Sequence, residues 1–129
     1  MAHNFMSTWT HGEKKRLLGY QASLLPVEET PIEEDWSNGT VDWRSKGKVN
    51  RVKDQAHCGS CWAFSATTSV ESAYAIKHGS LPSLSEEQLV QCDHHSHGCN
   101  GGSFTGAFKY LEGKGQNTES GYPYTSGRG

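Results

Sequence analysis

The run Gln55-Ala56-His57-Cys58-Gly59-Ser60-Cys61-Trp62-Ala63-Phe64-Ser65 constrains this chain more than any other stretch. It places a thiol at the first position of a predicted helix, directly after a tight Gly-Ser turn. The start of a helix carries unpaired N–H groups and partial positive charge. Both favour a thiolate, the nucleophilic form of cysteine. Cys61 is therefore a candidate nucleophile, and Cys58 a candidate structural cysteine. Gln55, six residues before Cys61, offers a side-chain amide that could stabilise an oxyanion together with the Cys61 N–H.

The rest of the composition sets limits. A chain of 129 residues holds one domain, and 33% hydrophobic content with a mean hydropathy of -0.72 permits only a modest core. A formal charge of -2 argues against nucleic acid as a partner. No stretch approaches the roughly 18 consecutive apolar residues of a membrane span. Met1-Ala2-His3-Asn4-Phe5 is polar, so no secretory signal is visible and the expectation is a cytosolic protein or a lost beginning. Four cysteines allow three fully paired connectivities. With Cys61 free, one of the others lacks a partner.

Along the chain, Thr10 and Glu13 predict a capped helix that ends at Leu17-Leu18 before Gly19. Residues 21–40 read as an acidic, proline-containing linker, with a glycosylation triplet at Asn38-Gly39-Thr40. Val49 and Val52 fit a short extended segment. From Cys61 to about Lys77, Cys61, Phe64, Ser65, Thr68, Ser69, Ser72 and Ile76 recur at helical spacing. Ala63, Ala66 and Ala73 suit close packing, and Gly79 is a plausible stop. Ser85 and Gln88 predict a capping box for a helix to about Cys92. Residues 93–102 form a loop holding His94, His95 and His97, read as a solvated cluster. Phe104, Ala107, Phe108 and Leu111 mark a third amphipathic helix, ended by Gly113. Gly98-Cys99-Asn100-Gly101-Gly102 presents bare backbone that an extended peptide could approach.

At these residues the chain closely resembles the papain-like, cathepsin-type cysteine peptidases. Cys58-Gly-Ser-Cys61-Trp62 matches the known pattern around the nucleophile of that family. Val41-Asp42-Trp43-Arg44, Val52-Lys53-Asp54-Gln55, Ser83 to Val90, Gly98 to Gly102 and Tyr122-Pro123-Tyr124 resemble further family blocks in order and spacing. Met6 to Tyr20 resembles the tail of an inhibitory propeptide, although Thr8 stands where an acidic residue is usual. The resemblance implies an α+β fold of which this chain covers mainly the α-helical half, with little strand. It divides the chain into a propeptide remnant (1–25), an acidic processing linker (26–39) and an incomplete helical domain (40–129), the β-rich domain being absent.

Residue by residue, the resemblance makes Cys61 the nucleophile and Gln55 the oxyanion donor. It assigns Gly101, Gly102, Trp62 and Phe104 to substrate binding and Cys58–Cys99 to a disulfide. The partner usual for Cys92 follows the Tyr-Pro-Tyr segment and is not in this sequence. No cofactor and no metal are implied, the partner is a peptide or protein substrate, and the expected location is lysosomal or secreted. The family also needs a His and an Asn roughly 130–150 residues downstream of the nucleophile, and none of the seven His residues stands in that context. The 129-residue chain alone is therefore expected to be a fragment that does not hydrolyse peptides at a useful rate. Two other readings compete. Cys58-Gly-Ser-Cys61 with Cys92, Cys99 and the His-rich loop could form a zinc site. A non-catalytic peptide binder or inhibitor would keep the same cleft without turnover.

Overall fold

The computed structural model describes residues 6–22, 25–26 and 39–128. The elements are α1 (His11–Lys15), α2 (Cys61–His78), α3 (Glu86–Cys92) and α4 (Phe104–Lys114), with 3-10 turns at Gly98–Asn100 and Ser126–Arg128. Among the described residues there is no strand. Two isolated bridges pair Tyr20 with Gly102 in parallel and Leu84 with Thr118 antiparallel. This matches the helical half of an α+β fold. No helix among the described residues is long and apolar enough to cross a membrane. The expected linker, residues 26–39, lies outside the described residues except for Pro26 and Gly39; Asn38 of the glycosylation triplet lies outside them too.

Local chemistry sets the helix ends. Thr10 accepts the Glu13 N–H while the Glu13 carboxylate takes the Thr10 N–H, a closed capping box at the start of α1. Ser85 accepts the Gln88 N–H at 3.1 Å, but the expected box does not close. The Gln88 amide instead donates to the Gly115 carbonyl and the Tyr110 hydroxyl, and its oxygen accepts the Asn117 N–H. That side chain ties α3 to the end of α4, a tertiary demand that outweighs the local one. Helix α2 stops at Gly79 in the left-handed conformation, φ 85°. Helix α4 runs through Gly113 to Lys114 and stops at Gly115 instead.

The buried face of α2 is Trp62, Ala63, Ala66, Thr67, Glu71 and Ala75. The recurring set from Cys61 to Ile76 lies outside it, and Ala73 is exposed. The small residues decide this: Ala63, Ala66 and Ala107 are fully buried in one cluster with Cys58, Trp62, Leu89 and Val90, where α2 packs on α3 and α4. Trp62 is the only large aromatic among these fully buried side chains, 1% exposed; burial of a side chain this size stabilises by about 2–3 kcal/mol. Phe104 and Phe108 of the predicted amphipathic stripe are exposed, and α4 buries Gly106 and Ala107. Val49 and Val52 form no bridge, and Val52 is 95% exposed.

So few apolar side chains leave much of the interior to charged groups. Lys53 reaches in from the segment before the thiol loop and donates to Glu71 at 2.9 Å and to Glu86. Burial alone would weaken the Lys53 charge, but the two carboxylates outweigh it and raise its pKa. Burial raises the Glu86 pKa, and Lys53 offsets only part of that. Glu71 also accepts the Leu84 N–H at 2.7 Å, joining α2 to the chain leading into α3. Glu87 faces the C-terminal segment. Burial opposes its charge, but the Ser126 and Thr125 N–H groups, the Ser126 hydroxyl and Gln91 prevail and hold its pKa at about 2.

Two outcomes follow. Lys53→Met strands two buried carboxylates without a cation, so urea unfolding should show a loss of about 3–5 kcal/mol. Glu87 titrates at a lower pH in the folded chain than in the unfolded chain. Its contribution of about 3 kcal/mol is therefore complete above about pH 4.5 and is lost as pH falls toward 2. The stability difference between the chain and Glu87→Gln should shrink by about 2 kcal/mol between pH 6 and pH 3, measured by urea midpoints at each pH.

Candidate active site

Cys61 is the first residue of α2 and a free, partly exposed thiol. Cys58, in the turn before it, is joined to Cys99 across 41 residues of chain. The Gly59 N–H donates to the Cys99 carbonyl at 3.0 Å. One covalent and one hydrogen bond thus lock the thiol loop to the glycine loop 98–102. The pairing also removes Cys58 and Cys99 from any zinc ligand set, which leaves the zinc reading without its CxxC. Cys92 is a free, exposed thiol.

Gln55 enters the turn that precedes Cys58. Ala56 beside it has φ 50°, a conformation that costs a residue with a Cβ of order 1 kcal/mol. Asp54 supports it by accepting the Ala56 N–H at 2.8 Å. This turn directs the Gln55 side chain to two carbonyls. Its Nε2 donates to Cys58 at 2.8 Å and to Leu17 of the N-terminal segment at 3.1 Å.

The N-terminal segment continues across the glycine loop. The Gly102 N–H donates to the Gly19 carbonyl and the Gln21 N–H to the Gly102 carbonyl, both at 2.7 Å. The Gln21 side chain donates to the Asn100 carbonyl at 2.8 Å. Gly101 turns its own polar groups inward, to Gly98 and His97; its contribution is room, since a Cβ there would stand 2.8 Å from the Gly19 carbonyl oxygen. A Cβ on Gly19 would lie 1.8 Å from the Gly59 carbonyl oxygen. The segment can lie this close only because Gly19 has no Cβ; one on Gly59 would instead press on the Cys99 carbonyl oxygen at 2.5 Å. Tyr20 stacks on Phe104, 5.6 Å between ring centres, and Trp9 stacks on His57 at 5.8 Å.

The sequence-predicted residues therefore separate into two groups. Gln55, Gly101, Gly102 and Phe104 all meet the N-terminal segment, and Cys61 opens the helix next to the loop that carries Gln55. Trp62 does not join them. Its indole N–H donates to the Gly98 carbonyl at 3.1 Å from within the core, so it supports the glycine loop from beneath instead of facing a cleft. Among the described residues no imidazole is hydrogen-bonded to Cys61; His94, His95 and His97 are exposed in their loop. Sequence reasoning missed Ala56 and Tyr124. Tyr124 donates to the Gln55 carbonyl and bonds the Ser60 hydroxyl, a contact across more than sixty residues that no local pattern encodes.

The family model described as "Papain family cysteine protease" matches residues 37–129. The chain is 47% identical to cysteine proteinase EP-B 1 of Hordeum vulgare over 113 residues, 86% of this chain and 29% of the barley protein. It is 47% identical to digestive cysteine proteinase 3 of Homarus americanus over 116 residues, 88% of this chain and 35% of that protein. The chain thus spans about a third of the length of these curated relatives. Among solved structures, it is similar to the proform of the ragweed pollen cysteine protease Amb a 11, with a TM-score of 0.64 and 44% identity over 74% of this chain and 31% of that one. The Carica candamarcensis cysteine protease CMS1MS2 in complex with E-64 matches with a TM-score of 0.65 and 44% identity, covering 66% of this chain and 40% of that one.

Gly19→Val should drive residues 17–21 off the thiol and glycine loops. Hydrogen exchange at the Gln21 and Gly102 amides should accelerate by at least about tenfold while α2 amides keep their protection; unchanged exchange at both would contradict the close-contact account.

Proposed function

Because the chain belongs to the papain family of cysteine proteases, we propose that it carries the nucleophile half of an enzyme that cleaves peptide bonds through a thiol acyl-enzyme. Cys61 is the nucleophile of this reading. Its thiolate adds to a peptide carbonyl, and the resulting oxyanion is received by Gln55 Nε2 and the Cys61 N–H. Collapse breaks the C–N bond, an imidazole protonates the leaving amine, and water releases the acid from the thioester. That imidazole and the Asn that orients it come from a β-rich domain which this chain meets in the complete enzyme.

One observation carries the reading. The donors assigned to a substrate already hold backbone of the chain's own residues 17–21, Gln55 at the Leu17 carbonyl and Gly102 against Gly19 and Gln21. In the same reading residues 1–25 are an inhibitory propeptide remnant, 26–39 the processing linker and 40–129 the helical domain. Gly101 and Gly102 hold the substrate backbone, and Phe104, where Tyr20 now stacks, contacts an apolar substrate side chain. The Cys58–Cys99 disulfide suits an oxidising compartment, in keeping with a lysosomal or secreted enzyme.

In an enzyme that joins this chain to its β-rich domain, Cys61→Ala should abolish hydrolysis of a peptide anilide. Gln55→Ala should lower kcat by about 10²–10³ with little change in KM. Hydrolysis that survives Cys61→Ala would refute the assignment.

A further inference from the structure

The segment after α4 returns to the turn that carries Gln55. Tyr124 donates its hydroxyl hydrogen to the Gln55 carbonyl at 2.9 Å. Three residues on, Gly127 packs directly against the same turn. A Cβ at Gly127 would stand 2.7 Å from Ala56 Cβ, 3.1 Å from the Tyr124 ring and 3.3 Å from the Gln55 carbonyl oxygen. An alanine Cβ is fixed to its backbone and the carbonyl oxygen is backbone, so neither can swing aside. What Gly127 supplies is room.

Residues 124–127 make this contact from a fixed base. The Thr125 and Ser126 N–H groups donate to the Glu87 carboxylate at 2.9 and 3.0 Å, and the Ser126 hydroxyl donates to it at 2.8 Å. The Tyr124 N–H donates to the Glu119 carboxylate at 3.0 Å. The turn they support is strained, because Ala56 has φ 50°. Such a conformation persists only where its surroundings hold it. Asp54 holds it locally through the Ala56 N–H. Tyr124 and Gly127 hold it from about seventy residues away in sequence.

The consequence falls on the Gln55 side chain. Its Nε2 reaches the Cys58 carbonyl at 2.8 Å and the Leu17 carbonyl at 3.1 Å. Both bonds start from a backbone whose carbonyl Tyr124 fixes and whose next residue rests on Gly127. A shift of that backbone carries Nε2 with it. We propose that Gly127 is a positioning residue for Gln55, its missing side chain letting the C-terminal segment seat against Ala56 and keep the amide donor aimed. The inference rests on Gln55 being the oxyanion donor. Misplacing a group at a reacting centre by about 1 Å costs up to about a hundredfold in rate.

The test has two arms. In the 129-residue chain, nitrogen-15 NMR follows the side-chain amides. Gly127→Ala should shift the Gln55 Nε2 resonances and leave those of Gln88 in place. Adding Ala56→Gly removes the opposing Cβ and suits a positive φ, so it should return the Gln55 resonances toward their original positions. In the enzyme that joins this chain to its β-rich domain, Gly127→Ala should lower kcat for a peptide anilide by about tenfold with KM unchanged. Ala56→Gly added to it should restore kcat to within about threefold. Alkylation of Cys61 by iodoacetamide is the control, because sulfur displaces iodide at a saturated carbon and no oxyanion forms. Its rate should stay within about twofold in each variant, which a general loosening of the site would not allow. Unmoved Gln55 resonances, an unchanged kcat, a fall that Ala56→Gly does not rescue, or an equal fall in alkylation overturns the proposal. Should Gly127→Ala fail to fold, Tyr124→Phe decides by the same assays: a fall in kcat of about fivefold with alkylation unchanged is expected, and an unchanged kcat overturns it. If Gln55→Ala leaves kcat unchanged, the oxyanion-donor reading fails and this inference fails with it. If Gln55→Ala lowers kcat and Gly127→Ala does not, only the present inference fails.

Discussion

The bond between Cys58 and Cys99 is the constraint on which the site depends. It closes a loop that contains all of α2 and α3 and brings two irregular segments edge to edge. Neither segment has a regular partner that would hold it otherwise. Once joined, Gly59 can donate to Cys99, the glycine loop can rest on the Trp62 indole, and the helix that starts with Cys61 points out from a fixed base. A cross-link of this span restricts the unfolded chain by several kcal/mol in the loop-entropy account. That contribution matters in a domain whose fully buried apolar side chains are few.

The interior compensates for its small apolar content with polar groups bonded across elements, although Glu71 Oε2 and Gln116 Oε1 are buried without a partner among the described residues. Lys53 bridges Glu71 and Glu86, Glu87 gathers the amides and hydroxyls of residues 125–126, and Gln116 donates to Thr67 and Ser85. Each of these ties a helix to a segment without helix. Buried polar groups of this kind cost much when one partner is removed and little when all are present. The same logic operates at the site, where Gln55, Ser60 and Tyr124 share two hydrogen bonds through a single phenol oxygen.

Much of this was legible in the sequence because the signals are local. Thr10 with Glu13 marks a helix start, Ser85 another, and Gly79 a stop; each depends on backbone chemistry within four residues. The thiol at the head of α2 was legible for the same reason. The face of α2 was legible only at Ala63 and Ala66, because Phe64 and Ile76 invite burial while Ala75 and Glu71 are buried in fact and Ala73 is exposed. Periodicity registers hydrophobicity, whereas tight helix contacts select for small size. Gln88 left its predicted box for Gly115 and Tyr110, and Trp62 left its predicted cleft for the core, since partners far along the chain offered each a bond that its neighbours did not. Gly113 failed to stop α4 because a glycine inside a helix costs only about 1 kcal/mol.

The occupancy of Gly102 by residues 19–21 has a kinetic corollary. Residues 19–21 and Gly102 belong to one molecule, so their rebinding is intramolecular and independent of protein concentration. A separate peptide offering the same backbone groups to Gly102 would compete against a segment that does not diffuse away. Cutting the chain between residues 22 and 40 would turn the same contacts into an ordinary bimolecular equilibrium, and dilution alone would then uncover Gly102.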